Sequence, residues 1–350
     1  MIQDNDRAPI LSVVITVYNI RRDWTEVSID SILAWHHDLE IVIVDDGSTD
    51  IALLQYLQAR AGDDPRVRYV RQENAGTGAA RKLGVELAKG RWVTLMDPDD
   101  YMLPSESVVE ALTASNDKDL ILASAIGVDA DGTTHRETYS VDRLGDSPSA
   151  ADLATELMSI YLYGRESAAF LLGVPWAKFF RTSWLRAQDV NFDPRVVKRS
   201  DAEWLLRTFT REPRSLAIDE PVVAYRLGVG YSGAQRYREG TVAGYEVLRA
   251  TAESVPGVTE QVRQLYRLEL VKDGINSIFS NPHAPKNVRT RAAYRSFRRK
   301  FAVSYPLLRS KALREASLAR KGLYLAIRSG SFMLVLALRS LKKVRPVGGR

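Results

Sequence analysis

Four short β-branched runs alternate with longer amphipathic segments in the first hundred residues, and this alternation restricts the fold more than any other feature of the chain. The runs are Ile10–Thr16, Glu40–Val44, Arg66–Arg71 and Arg91–Met96. Helical periodicity fills the gaps at Trp24–Ala34, Ile51–Ala61 and Gly78–Lys89. Strands that are apolar on successive residues are buried on both faces. The β-α-β-α-β order therefore predicts an α/β fold: a mostly parallel sheet with helices on both faces. Open sheets of this kind bind their ligands at the carboxyl ends of the strands. The residues that follow each run are therefore the first place to look for chemistry.

Asp97-Pro98-Asp99-Asp100 follows the fourth run. Crowded carboxylates raise one another's pKa unless a cation joins them, and oxygen ligands suit a hard divalent ion. The competing reading is a solvated turn, bent by Pro98 and capping the next helix. After the second run comes Asp45-Asp46-Gly47-Ser48-Thr49-Asp50. This is either a turn that caps a helix, or a fixed carboxylate selecting a base edge with an N–H donor. Thr16-Val17-Tyr18-Asn19 closes the first run; Tyr18 is either a base-stacking ring or a loop aromatic. Asn74 to Gly84 is a glycine-containing loop that opens a helix, with Arg81 and Lys82 adding positive charge. It has neither a Walker A pattern nor a dinucleotide-binding G-x-G-x-x-G placed after the first strand.

Taken together, T-x-Y-N, V-D-D-G-S, N-x-G-x-x-x-A-R and D-x-D-D at successive strand ends resemble the family 2 glycosyltransferases, which have the GT-A fold. The resemblance is specific over Ile10–Pro104 and looser over Pro175–Ser232. It implies a nucleotide-diphosphate sugar donor, Mn²⁺ or Mg²⁺ and usually inversion at the anomeric carbon. Carried over by position, it places Thr16, Tyr18, Asn19 and Asp46 around the base and Arg81 near the base and diphosphate. Asp97 falls at the ribose end of the acidic motif, shared with the metal, and Asp99 is the metal ligand. Asp100 is left without a role. On the acceptor side, relatives often carry Glu-Asp at a helix start, where this chain has Ser200-Asp201. Asp201 is therefore the expected catalytic base and Glu203 the second candidate, with Ser200 as the helix cap and Glu203 three residues on. Trp176 and Lys178 resemble an acceptor-side W-x-K element. Arg226 and Ser232 resemble a late segment that forms a flap near the diphosphate.

The chain has 350 residues, 45% hydrophobic and 26% charged, as expected of a globular protein. It has no cysteine, which excludes disulfides, thiolate zinc sites and cysteine nucleophiles, and its four histidines form no zinc-ligand spacing. Met1 to Pro9 is polar and does not read as a signal peptide, and no apolar run is long enough to span a membrane. After about Gln235 strand signals give way to helical ones at Thr241–Ser254, Val258–Phe279, Val288–Phe301 and Leu307 to about Leu341. The expected division is a catalytic domain over 1–235 and a helical region over 236–350. Net charge is +6, and Glu315 is the sole acidic residue between Arg289 and Arg350. Such a basic end suits a glycan, teichoic-acid-like or capsular acceptor, an anionic membrane surface or a homo-oligomer contact, but not nucleic acid. The expected location is the cytoplasm, with the inner face of the plasma membrane as the alternative. Rival readings are a nucleotidyltransferase or sugar-phosphate transferase on a similar fold, and a non-catalytic polyanion binder. The first would carry a basic glycine-rich loop after the first strand, where Tyr18-Asn19-Ile20 stands. The second leaves the strand-end carboxylates unexplained.

Overall fold

A computed structural model of the chain describes residues 8–35, 38–163, 168–228, 237–279 and 281–301, with 321, 322, 325 and 329. The first half runs β1 (Leu11–Val17), α1 (Arg22–Leu33), β2 (Leu39–Asp45), α2 (Ile51–Asp63), β3 (Val67–Arg71), α3 (Thr77–Leu87) and β4 (Trp92–Met96). Next come β5 (Tyr101–Met102), α4 (Glu106–Ala114), β6 (Leu120–Val128), β7 (His135–Tyr139), α5 (Ala150–Tyr163), α6 (Ala168–Leu172), β8 (Lys178–Arg181) and α7 (Thr182–Ala187). The chain continues through α8 (Ser200–Phe209), β9 (Ser215–Arg226), α9 (Thr241–Ser254), α10 (Glu260–Gly274) and α11 (Arg291–Lys300).

One nine-stranded sheet runs β3-β2-β1-β4-β8-β6-β9-β5, with β7 paired to β6. The first four strands are parallel, in register Leu11 with Leu39 and with Trp92. β8 pairs antiparallel with both β4 and β6 and joins the parallel part to the rest. β1, β2 and β4 are buried along essentially their whole length, as their unbroken apolar sequences require. Because β1, β2 and β4 all run the same way, Tyr18, Asp46 and Asp97 emerge at one edge of the sheet.

β8 and β9 are strands that the sequence patterns do not announce. Pro221 interrupts β9, and the β6–β9 register shifts on either side of Ser124, which faces it. The capping expectation at α8 is also corrected. Its N-cap is Arg199, in the left-handed region at φ +59°, and no side chain caps the helix. Ser200 is already helical. At the second strand end, Asp50 is the residue that caps, accepting from the Leu53 N–H at 3.1 Å. In the C-terminal half, α10 ends at Gly274 and passes into a π-helical turn at Ile275–Phe279. The segment expected to be helical from Leu307 lies almost wholly outside the described residues. α9 packs on α8, and α10 on α5 and α9, so buried residues from Leu11 to Phe301 form one hydrophobic cluster.

Candidate functional site

The strand ends are tied together before they are offered to a ligand. Asn19, at φ +46°, accepts from the Thr49 N–H at 2.7 Å through its side chain, and its own N–H donates to Ser48 Oγ at 3.0 Å. This fastens the loop after β1 to the one after β2. Asp45 is buried and accepts from the Ser48 N–H at 2.9 Å and from the Tyr69 hydroxyl at 3.0 Å. Asp46 holds the next loop. Its Oδ1 accepts from Gln72 Nε2 at 2.7 Å and the Ala75 N–H at 2.8 Å, and its Oδ2 from the Gly76 N–H at 2.8 Å. A carboxylate has about four acceptor directions, so Asp46 has about one left for a nucleobase. The anion received by the glycine loop is thus Asp46 itself. Thr16 is buried within β1, whereas Tyr18 is 52% exposed, with ring face available for stacking.

Asp97, Asp99 and Asp100 each bring one oxygen to within 4.8 Å of the others. Burial is the main cause that drives all three upward in pKa. Asp97 is pushed up to about 6 although Arg81 opposes the shift, with Asp99 and Asp201 adding repulsion. Asp99 is raised against the pull of Arg226. Asp100 stands well above the carboxylate range, with Asp99 and Asp97 adding to its burial. Asp100 Oδ1 accepts from the Arg226 N–H at 3.0 Å, but its Oδ2 is buried with no hydrogen-bond partner. An unpartnered buried oxygen in a group of crowded carboxylates fits a hard divalent cation. Arg226 flanks the cluster: it donates to the Asp99 carbonyl and lies 5.2 Å from the Tyr101 ring centre. The Tyr101 hydroxyl donates to the Gly132 carbonyl at 2.8 Å, so the β6–β7 turn closes one side of the site.

Arg81 joins the two halves of the chain. The buried guanidinium donates through Nη2 to Asp97 Oδ1 at 3.0 Å and through Nη1 to Asp201 Oδ1. Asp201 therefore shares one cation with the acidic motif, although 104 residues separate it from Asp97. Phe192 supports the arrangement: its ring stacks on Trp204 at 4.9 Å and lies 5.4 Å from the guanidinium carbon of Arg81. Neither Arg81 as the link nor Phe192 as its support follows from the motif pattern, although Asn191-Phe192-Asp193 is conspicuous in the sequence. A cavity of about 160 Å³ lies on the α3–α7 side of Arg81 and reaches Phe192 and Trp204.

Two expected residues take other places. Lys178 is fully buried, and its Nζ donates to the carbonyls of Leu171 at 2.6 Å and Trp176 at 3.2 Å. Burial pushes its pKa down to about 7, against the attraction of Asp201. It is not open to a ligand, and Trp176 is core. Glu203 is turned away from the site as well. It pairs with Arg207, and its Oε1 accepts from the Thr251 hydroxyl at 2.8 Å. Two residues after Asp201 on a helix, it points roughly 200° around the axis. The structure does not bring Glu203 to the carboxylates. Ser232 lies outside the described residues.

Residues 12–163 match the model of glycosyl transferase family 2. The chain is 26% identical over 219 residues to the uncharacterized glycosyltransferase EpsJ of Bacillus subtilis, covering 62% of this chain and 61% of that protein. It is 34% identical over 140 residues to chondroitin synthase of Escherichia coli, covering 40% of this chain and 19% of that protein. Its fold is similar to that of S. aureus TarS residues 1–349 in a complex with UDP-GlcNAc, at 17% identity and a TM-score of 0.64, covering 97% of this chain and 93% of that one. The match to glycosyl transferase family 2 spans residues 12–163, and the chain has the GT-A fold. Lys178, Asp201 and Arg226 lie beyond the matched segment. Among the described residues no helix is long and apolar enough to cross a membrane.

Proposed function

We propose that the protein transfers a sugar from a nucleotide-diphosphate sugar, with UDP favoured, to a hydroxyl of a glycan or polyol-phosphate acceptor, in one displacement that inverts the anomeric carbon. The observation that carries this reading is the single buried guanidinium shared by Asp97 and Asp201. It holds a donor-side carboxylate and a candidate base on two arms of one group, at the meeting point of the two halves of the site. The UDP-sugar complex of the TarS structure supports the donor class.

Tyr18 stacks on the base, and Asp46 has one acceptor direction left for a base N–H. Asp99 and Asp97 would hold a divalent ion, with the unpartnered oxygen of Asp100 beneath them. When bound, such an ion supplies Lewis-acid neutralisation of the diphosphate. Arg81 and Arg226 add preorganised positive charge where the leaving group gains negative charge. Asp201 accepts the proton of the acceptor hydroxyl as that oxygen attacks. No covalent sugar intermediate is needed. The exposed cations of α11, Arg291, Arg295 and Arg299, suit a phosphate-rich acceptor, a reading that also accommodates contact with an anionic membrane surface.

The test is a panel of UDP-, GDP-, CDP- and dTDP-sugars with Mn²⁺, scored by thermal shift and by release of nucleoside diphosphate. The expected result is a raised melting temperature and release with a UDP-sugar only. Asp201→Asn should lower turnover by about 10³-fold or more and leave nucleotide affinity within twofold, within the range of a missing general base. Asp99→Ala should remove activity and metal dependence together. No release from any donor would refute the transferase reading, and full activity in EDTA would refute the metal.

A further inference from the structure

The helix that carries Asp201 begins in an unusual way. Its N-cap residue, Arg199, is a non-glycine residue in the left-handed region at φ +59°, and no side chain caps the helix. Such a conformation is unfavourable for a residue with a side chain and persists only where the surroundings enforce it. Here they come from the C-terminal helices. The Arg199 guanidinium pairs with Asp273 of α10, and both side chains are largely buried. Glu203, one turn into α8, is fully buried and accepts from the Thr251 hydroxyl of α9 at 2.8 Å. Arg238, just before α9, donates to the Val197 carbonyl at 3.3 Å. Gly244 of α9 sits so close that a Cβ there would lie 2.9 Å from the Arg195 carbonyl oxygen and 3.2 Å from the Val196 Cα.

These contacts all fall within Arg195–Glu203 and come from α9, α10 or the residue stretch just ahead of α9. They fix different coordinates. The Arg199–Asp273 pair sets where the helix starts, and the Glu203–Thr251 bond sets its rotation. Asp201 projects from the opposite side of the same turn, toward Arg81. We infer that Arg199, Asp273 and the Glu203–Thr251 bond are positioning elements for Asp201, so that the C-terminal helices build the acceptor half of the active site as well as any docking surface. This rests on the reading of Asp201 as the base. Displacing a reacting group by about 1 Å costs on the order of 10²-fold in rate, so small slips of α8 are enough to be read kinetically.

The experiment uses the full chain and the donor selected by the panel above. Arg199→Gln and Asp273→Asn should each lower kcat by about 10–100-fold, with KM for the donor and nucleotide affinity within twofold and with cooperative melting. Thr251→Val should fall between these variants and the parent. Introduced into Asp201→Asn, Arg199→Gln should add no further loss, because the group it positions is already gone. Arg199→Lys keeps the charge and should recover part of kcat. If Arg199→Gln does not fold, Arg199→Gly relieves the left-handed backbone and the double change Arg199→Gln with Asp273→Asn leaves no unpaired buried charge; both carry the same readout. The inference is overturned if the folded variants turn over at the parental rate while Asp201→Asn is inactive. It is equally overturned if donor affinity falls in step with kcat, or if the loss persists in full on the Asp201→Asn background. Parental turnover by Asp201→Asn would instead refute the base assignment itself.

Discussion

Asp97, Asp99 and Asp100 are destabilising in a metal-free protein, and the sign of that effect can be measured. Their folded pKa values are raised, Asp97 to about 6, from an ordinary value of 3.8. Between those limits the folded chain binds more protons than the unfolded chain. Stability therefore falls as pH rises from about 4 to 6 and returns on acidification. Carboxylates held low by partners, such as Asp64, Asp119 and Asp193, act in the opposite sense only below about 4. The metal-free protein should accordingly melt a few degrees higher at pH 5 than at pH 7. Asp97→Asn should shrink that difference, and Mn²⁺ should raise the melting temperature most at pH 7. A metal-free melting temperature that drops between pH 7 and pH 5, with no change in Asp97→Asn, would contradict this. The identity of these residues was legible in the sequence because strand ends are easy to place. Their surroundings were not. Nothing in the spacing says that Arg81 spans Asp97 and Asp201, that Asp46 is occupied by the Ala75 and Gly76 amides, or that Glu203 turns toward α9. Those facts depend on side-chain directions set by packing.

At the scale of elements, the sequence is most readable where a period is sustained. β1 to β4 and α1 to α3 follow their hydrophobic patterns within a few residues. β8 and β9 hide because one begins with a buried lysine and the other is broken by Pro221. Helix docking is legible in part through glycine. Gly84 lies in mid-α3 where the helix meets β1, and a Cβ there would stand 2.2 Å from Val14 Cγ1. Alanine normally gains about 1 kcal/mol over glycine in a helix. Overpacking a filled core costs about 1–3 kcal/mol, and Val14 is buried in the middle of a strand with little freedom to move. The clash should win. Gly84→Ala is expected to lower the urea midpoint by an amount equivalent to about 1–2 kcal/mol with an unchanged slope. A midpoint at or above that of the parent would mean that α3 can slide along the sheet, and that the placement of Arg81 is softer than the geometry implies.

At the scale of the molecule, the change of sequence texture near residue 235 suggests two units, whereas the packing suggests one cooperative one. Buried residues of the sheet, such as Val13 and Ile43, belong to the same hydrophobic cluster as Tyr245, Leu265, Tyr266 and Tyr294 of the C-terminal helices. Contacts across the division are close: a Cβ on Gly257, in the turn between α9 and α10, would stand 2.7 Å from the Ala151 Cβ of α5. A boundary between independent domains is crossed by few contacts and tolerates cutting. This one should not. A chain ending at Gly240 would lose Asp273 opposite the buried Arg199 and Thr251 opposite the buried Glu203, and would expose the apolar surfaces of α5 and α8. Breaking one buried ion pair alone costs about 3–5 kcal/mol. That is a large share of the roughly 5–15 kcal/mol that holds a typical fold together. The full chain is therefore expected to unfold in a single calorimetric transition, and the 1–240 fragment to be insoluble or molten, without nucleotide-induced stabilisation. Two resolved transitions, or a 1–240 fragment that melts cooperatively and is stabilised by a UDP-sugar, would show instead that the catalytic half stands alone and that the helices only steady it.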